Sequence, residues 1–238
     1  MDDLADFILT RPPTAARPLL GLTVLVVEDS RFACEAVRLL CLRSGARIRR
    51  ADTLKSARRH LQVYLPSVVV VDLGLPDGSG LDLIHELRET SPDLGVILAT
   101  SGDLEGRTAA MEAGAHGFLE KPIQSLGVFQ EAVLSHLPPE SQPPGPRLLP
   151  NVTIVPDPVA FRDDMAHAAD LLGSDGPDST LDYIAQFLNG VARSASDAPL
   201  VDAVEALAKS RAGGTPSHSH VARIAGLVQD RLVGRQAV

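Results

Sequence analysis

The chain is poor in aromatic side chains: its 238 residues include no tryptophan, two tyrosines and six phenylalanines. A surface that grips nucleic acid by stacking bases on rings has little material here, so any core must be built from Leu, Val, Ile and Ala. Long apolar runs are missing too. Nothing approaches the ~18 consecutive apolar residues of a membrane-crossing helix. Asp2, Asp3 and Asp6 stand where a secretory signal would carry Lys or Arg. The expectation is a cytoplasmic protein with no membrane partner. Cysteine is nearly absent: Cys34 and Cys41 lie seven residues apart on one predicted helix, about 10 Å along its axis. A disulfide tolerates at most about 7 Å between Cα atoms, so they are expected as small buried residues. Basic excess is lacking as well, and a formal net charge of -8 repels phosphate backbones at long range.

What is present fits a globular chain, with 45% hydrophobic and 22% charged residues. Residues 1 to 20 read as an extension in which Leu4, Phe7 and Ile8 precede Arg11, Pro12, Pro13 and Pro18. From Leu22 onward short apolar runs alternate with helical stretches, the signature of a parallel sheet covered by helices. The runs are Leu22 to Val27, Ala46 to Arg50, Val68 to Asp72, Val96 to Thr100 and Gly117 to Glu120. Val68 to Val71 suits a central strand buried on both faces, whereas Arg47, Arg49 and Arg50 suit an edge. Together with Lys55, Arg58 and Arg59 these arginines are read as a solvated surface. The Pro-rich segment 138–150 is predicted to be a semi-rigid spacer between a 21–137 domain and a 151–238 domain.

In such a sheet, ligands bind at the carboxyl ends of the strands, and the polar residues gather there. Glu28 and Asp29 follow the first strand, Asp72 the third, Thr100 and Ser101 the fourth and Lys121 the fifth. Converging carboxylates call for a hard divalent cation, Mg²⁺ or Mn²⁺. Carboxylates, a hydroxyl and an ammonium are together the parts needed for phosphoryl transfer.

Five segments, Val26-Val27-Glu28-Asp29-Ser30, Val71-Asp72-Leu73-Gly74-Leu75-Pro76-Asp77-Gly78-Ser79-Gly80, Leu98-Ala99-Thr100-Ser101-Gly102, Ala113-Gly114-Ala115 and Phe118-Leu119-Glu120-Lys121-Pro122, resemble in order the receiver domain of bacterial two-component response regulators. The resemblance covers about residues 21 to 137. It implies a doubly wound α/β fold with the flavodoxin-like strand order 2-1-3-4-5. It further implies Asp72 as phosphoacceptor; metal ligation by Asp29, by Asp72, by Glu28 through water and by the Gly74 carbonyl; and Thr100 and Lys121 on the phosphoryl group. A cis Lys121-Pro122 bond and a switch role for Thr100 and Phe118 also follow from it. The Thr100 to Lys121 spacing is one residue shorter than is common in the family, which keeps Ser101 in play for the hydroxyl role. Gly74 and Gly102 stand where relatives often carry polar side chains that influence dephosphorylation. The implied partner is a sensor histidine kinase or a phosphotransfer protein, and the protein is a phosphoacceptor, not an enzyme acting on separate substrates.

Residues 157 to 235 read as four helices. Asp157-Pro158, Asp197-Ala198-Pro199 and Thr215-Pro216 mark predicted starts, and Gly173, Gly190 and Gly213 predicted stops. Apolar stripes such as Leu181, Ile184, Leu188 and Val191 call for a small bundle. Three outputs compete. Contact with a protein partner or a second copy of the chain is the default for a bundle without a catalytic constellation. DNA binding is disfavoured by eleven acids against seven bases beyond residue 150, although Arg223, Arg231 and Arg235 and the turn at Gly213-Gly214-Thr215 keep a helix-turn-helix in view. A phosphorelay role through His167 is opposed by Asp170 one turn on. His218 and His220 lack the further ligands of a zinc site.

Overall fold

The computed structural model describes residues 12–173 and 178–234. The Leu4, Phe7 and Ile8 cluster, Asp175 and Arg235 lie outside the described residues. Five strands, β1 (Thr23–Val27), β2 (Arg47–Ala51), β3 (Val68–Asp72), β4 (Val96–Ser101) and β5 (Gly117–Glu120), form a parallel sheet in the order β2-β1-β3-β4-β5. This is the flavodoxin-like order expected from the sequence. Between and after them run α1 (Arg31–Ser44), α2 (Leu54–Val63), α3 (Gly80–Thr90), α4 (Gly106–Glu112) and α5 (Leu126–Leu134). Every residue of β3 is buried, and alternation along the strand splits its valines between two cores. Val68 and Val70 join Val37, Leu40, Phe129 and Val133 under α1 and α5, while Val69 and Val71 join Leu54, Leu83, Ile84 and Ala110 under α2, α3 and α4. The arginine-bearing β2 is an edge. Cys34 and Cys41 are buried and unbridged.

The Pro-rich segment does not hold two bodies apart. Gln142 bonds the Leu137 carbonyl and Arg147 donates to Gln130 on α5. The Leu126 N–H donates to the Val152 carbonyl, the Ile154 N–H donates to the Gln124 carbonyl, and Ile154 is buried in the same core as Phe129. The chain therefore follows the sheet half as far as residue 154.

Four helices follow: α6 (Pro158–Leu172), α7 (Asp178–Ser194), α8 (Ala198–Ala212) and α9 (His218–Val233). Asp157 and Asp197 cap α6 and α8 through the amides of Val159 and Leu200, as their sequence context predicts. Two predicted boundaries are corrected. Gly190 does not end α7, because the apolar stripe runs through it to Val191, and the chain turns only at Ser196, with φ 56°. Thr215 is not the cap of α9. Its hydroxyl instead bonds Ser210 across the α8–α9 turn, and α9 begins after Ser217. Met165, Leu188, Val191, Leu200, Leu207, Ile224 and Val228 form a third core. The helical region lies against the carboxyl ends of the strands, with α6 and α7 on α1 and α7 on the short Gly74–Leu75 strand.

Candidate functional site

The strand ends bring together what the sequence motifs separate. Ligating oxygens of Glu28, Asp29 and Asp72 lie within 4.8 Å of one another. The Lys121 Nζ sits 2.7 Å from Glu28 Oε2 and 3.1 Å from Asp72 Oδ1, with Glu28, Asp72 and Lys121 all buried. One ammonium against three carboxylates leaves two negative charges uncompensated when all are ionised, and burying unpaired charge is costly. The consequence is visible in proton affinity. Burial first, then repulsion from Glu28, pushes Asp29 up to about 8 and Asp72 to about 7. Burial alone would lower Lys121, but Asp72 and Glu28 outweigh it and hold the ammonium firmly protonated. A hard divalent cation cancels this deficit, and an all-oxygen set fits Mg²⁺ or Mn²⁺.

Local structure explains how Asp72 is held. It ends β3 beside Thr100 on β4, and the Gly74 backbone N–H donates to its carboxylate. The chain then folds back through the paired Gly74–Leu75 and Gly78–Ser79 strands, so that α3 starts directly behind Asp72. A Cβ at Gly80 would stand 2.0 Å from the Asp72 carbonyl oxygen, so only glycine permits this return.

The choice between the two hydroxyls has a geometric side. Ser101 Oγ accepts from the Asp103 N–H at 3.0 Å and so serves its own turn. Thr100 Oγ1 is buried and finds no partner among the described residues, which makes it the hydroxyl with bonding capacity to spare. The Lys121-Pro122 bond is cis. Phe118 is half-buried against the core beneath α2, α3 and α4. His167 is exposed on α6, edge-on to Phe187 and away from the Asp72 cavity.

Several residues that line this site come from the helical region, where the motifs gave no hint of them. The Tyr183 hydroxyl donates to Asp29 Oδ2 at 2.8 Å. Gln186, Asn189 and Gly190 complete a cavity of about 230 Å³ with Asp72, Gly74, Ser101, Gly102 and Lys121. The buried Asp164 on α6 accepts from Ser30 Oγ (2.7 Å) and from the Arg31 and Phe32 amides (2.8 and 3.0 Å), a cap on the first turn of α1 supplied from 130 residues away. The signal lay in the spacing: Tyr183, Gln186, Gly190 and Arg193 form a second helical stripe beside the apolar one.

Known proteins agree with the sheet half. Residues 24–132 match the family described as the response regulator receiver domain. The probable transcriptional regulatory protein TcrX of Mycobacterium tuberculosis is 40% identical over 113 residues, 47% of each chain. The KDP operon transcriptional regulatory protein KdpE of Escherichia coli is 33% identical over 107 residues, 45% of this chain and 47% of KdpE. A putative response regulator from Chloroflexus aurantiacus J-10-fl is 28% identical and covers 48% of this chain and 98% of its own, at a TM-score of 0.44. Each match thus spans about half of this chain, and about half the length of the two curated relatives. Residues 24–132, the sheet and the helices that cover it, are a response regulator receiver domain.

Proposed function

We propose that Asp72 is the phosphoacceptor of a two-component response regulator, with Glu28, Asp29 and the Gly74 carbonyl serving a divalent cation, and that the helical region carries the output through protein contact. The observation that carries this reading is the Asp72 carboxylate, 3.1 Å from the Lys121 ammonium and grouped with Glu28 and Asp29, beside a buried Thr100 hydroxyl that has no partner among the described residues. A phosphoryl group on Asp72 would give that hydroxyl an acceptor and the ammonium an anion. An Asp72 oxygen attacks phosphorus, the donor P–N bond breaks, and its electron pair returns to the histidine nitrogen, which then takes a proton. A divalent cation held by Glu28, Asp29 and the Gly74 carbonyl would supply neutralisation of the phosphoryl charge. The remaining work belongs to the chain: Gly74 N–H and Lys121 orient Asp72, and Thr100 with Phe118 couples occupancy to the face of α4, β5 and α5. The domain division follows the cores: the two that flank the sheet belong to the receiver, with the segment up to residue 154 stitched to one of them, and the third belongs to the helical bundle.

The direct test is labelling from phosphoramidate with Mg²⁺. Labelling is expected in the natural chain and lost in Asp72→Asn or with excess chelator. Full labelling of Asp72→Asn would refute the assignment.

A DNA-directed output is favoured by one observation, that TcrX and KdpE are named as transcriptional regulators. Their matches cover only the receiver half, and in this chain Arg231 of α9 is tied to Asp197. Salt-sensitive micromolar binding of a random labelled duplex, read by fluorescence anisotropy, would decide for DNA.

A further inference from the structure

In the receiver, two positions beside Asp72, Gly74 and Gly102, carry no side chain, and the helical region fills the space. A Cβ on Gly74 would lie 2.5 Å from the Gln186 side chain, and one on Gly102 would lie 2.4 Å from that of Arg193. With Gly190 above the Lys121 ammonium and Tyr183 on Asp29, one face of α7 roofs the cavity from end to end. Asp164 and Asp163 fix α6 to the first turn of α1, and Phe161 meets Phe32 edge-on at 5.6 Å. Gln124 reaches the Ser194 carbonyl at the far end of α7.

The cavity, about 230 Å³, stays partly open to solvent. It admits a phosphoryl group with a small leaving group. It does not admit a histidine carried on a protein surface, which must bring phosphorus to bonding distance of an Asp72 side chain that is only 10% exposed. We propose that the α6–α7 face, seated in cis on the first turn of α1 and the rim of the Asp72 cavity, shields Asp72 from protein phosphodonors, so that these reach it only when the face lifts while small donors reach it in either state. This rests on Asp72 being the phosphoacceptor.

The test uses the full chain and two probes, phosphoramidate and a helical peptide bearing phosphohistidine. In Gly102→Cys/Arg193→Cys the two Cβ atoms fall 3.4 Å apart, close to the ~3.5–4.5 Å of a disulfide, while Cys34 and Cys41 stay buried in the sheet core. Mild oxidation is expected to cross-link this variant rapidly and, compared with its own reduced form, to suppress labelling by the peptide while phosphoramidate labelling stays the same, with thiol reductant restoring the peptide labelling. Asp164→Arg, outside the Asp72 cavity, is expected to raise peptide labelling about ten-fold or more, because the rate follows the fraction of open form. Phosphoramidate labelling of that variant is expected to stay within about three-fold, since small donors do not depend on that fraction. Failure to cross-link, or peptide labelling equal in the locked, natural and Asp164→Arg forms, would overturn the proposal. Absence of phosphoramidate labelling from all forms would instead bring down the phosphoacceptor reading beneath it.

Discussion

The two halves of the molecule bury polar groups for different ends. In the receiver, Glu28, Ser30, Asp72, Thr100 and Lys121 are buried together at the strand ends, a concentration of charge that a fold tolerates where chemistry requires it. The helical region buries Asp164, Ser194 and Ser210. Ser210 closes its own turn on Thr215 and Pro216, but Asp164 bonds the cap and first turn of α1, Ser30, Arg31 and Phe32, and the carbonyl of Ser194 accepts from Gln124. The receiver's buried polarity gathers at the strand ends; that of α6 and of the end of α7 faces the receiver.

The largest effect that would break this contrast is expected at Lys121. Lys121→Met leaves three neighbouring carboxylates without their ammonium, and unpairing buried charge costs about 3–5 kcal/mol. Urea unfolding at pH 8 should show that loss, with Mg²⁺ recovering part of it; a loss below about 1 kcal/mol would mean that the cluster is hydrated and ordinary. Next comes Leu188→Ala, fully buried in the third core, with an expected cost of about 3 kcal/mol. If the cores are separate, the loss falls on the helical unfolding step and Asp72 labelling by phosphoramidate persists.

A smaller effect follows from proton linkage. Asp29 and Asp72 have raised proton affinities in the folded chain. Above pH ~4 the unfolded carboxylates have already lost protons that the folded ones keep. Metal-free stability therefore falls as pH rises from about 4 toward 8, and a cation that replaces those protons should raise Tm more at pH 8.5 than at pH 5.5. Equal Tm gains at both would mean that the cation binds elsewhere. The smallest is Asp197→Ala, which removes the α8 cap and the partner of Arg231, at about 1 kcal/mol by thermal unfolding. The Arg231 guanidinium holds the Asp197 carboxyl below the usual range. Its contribution is present at neutral pH and fades as pH falls through the lowered folded value, and the variant should lose that acid sensitivity.

The receiver was legible because strand ends carry their chemistry in sequence order: an apolar run followed by Glu28-Asp29, Asp72 or Thr100 places those side chains at one crevice once the topology is known. The arrangement of Tyr183, Gln186 and Arg193 was not legible for a physical reason. Helical spacing says which residues share a stripe but not which surface that stripe will meet, and a half-polar stripe reads as solvent-facing. Gly190 misled for a related reason. A glycine within a helix costs about 1 kcal/mol against alanine and so looks like a terminator, whereas here the helix runs through it, beside the Lys121 ammonium, to Ser194. The spacer reading of the prolines failed because Thr153 and Ile154, beyond them, pair with Ser125 and Gln124, a partnership that composition does not reveal.

That stitch at residue 154 also sets the length of a leash. Between Ile154, fastened to Gln124, and Pro158, the first residue of α6, run only Val155, Pro156 and Asp157, which when fully extended reach about 10 Å. On so short a tether the helical region stays at an effective concentration in the millimolar range or above. A free copy of the bundle added from outside would compete poorly for the same seat, and any other partner for that surface would have to displace a rival that never diffuses away. Peeling residues 152–154 from α5 would lengthen the leash and weaken that rivalry without altering any residue at the strand ends.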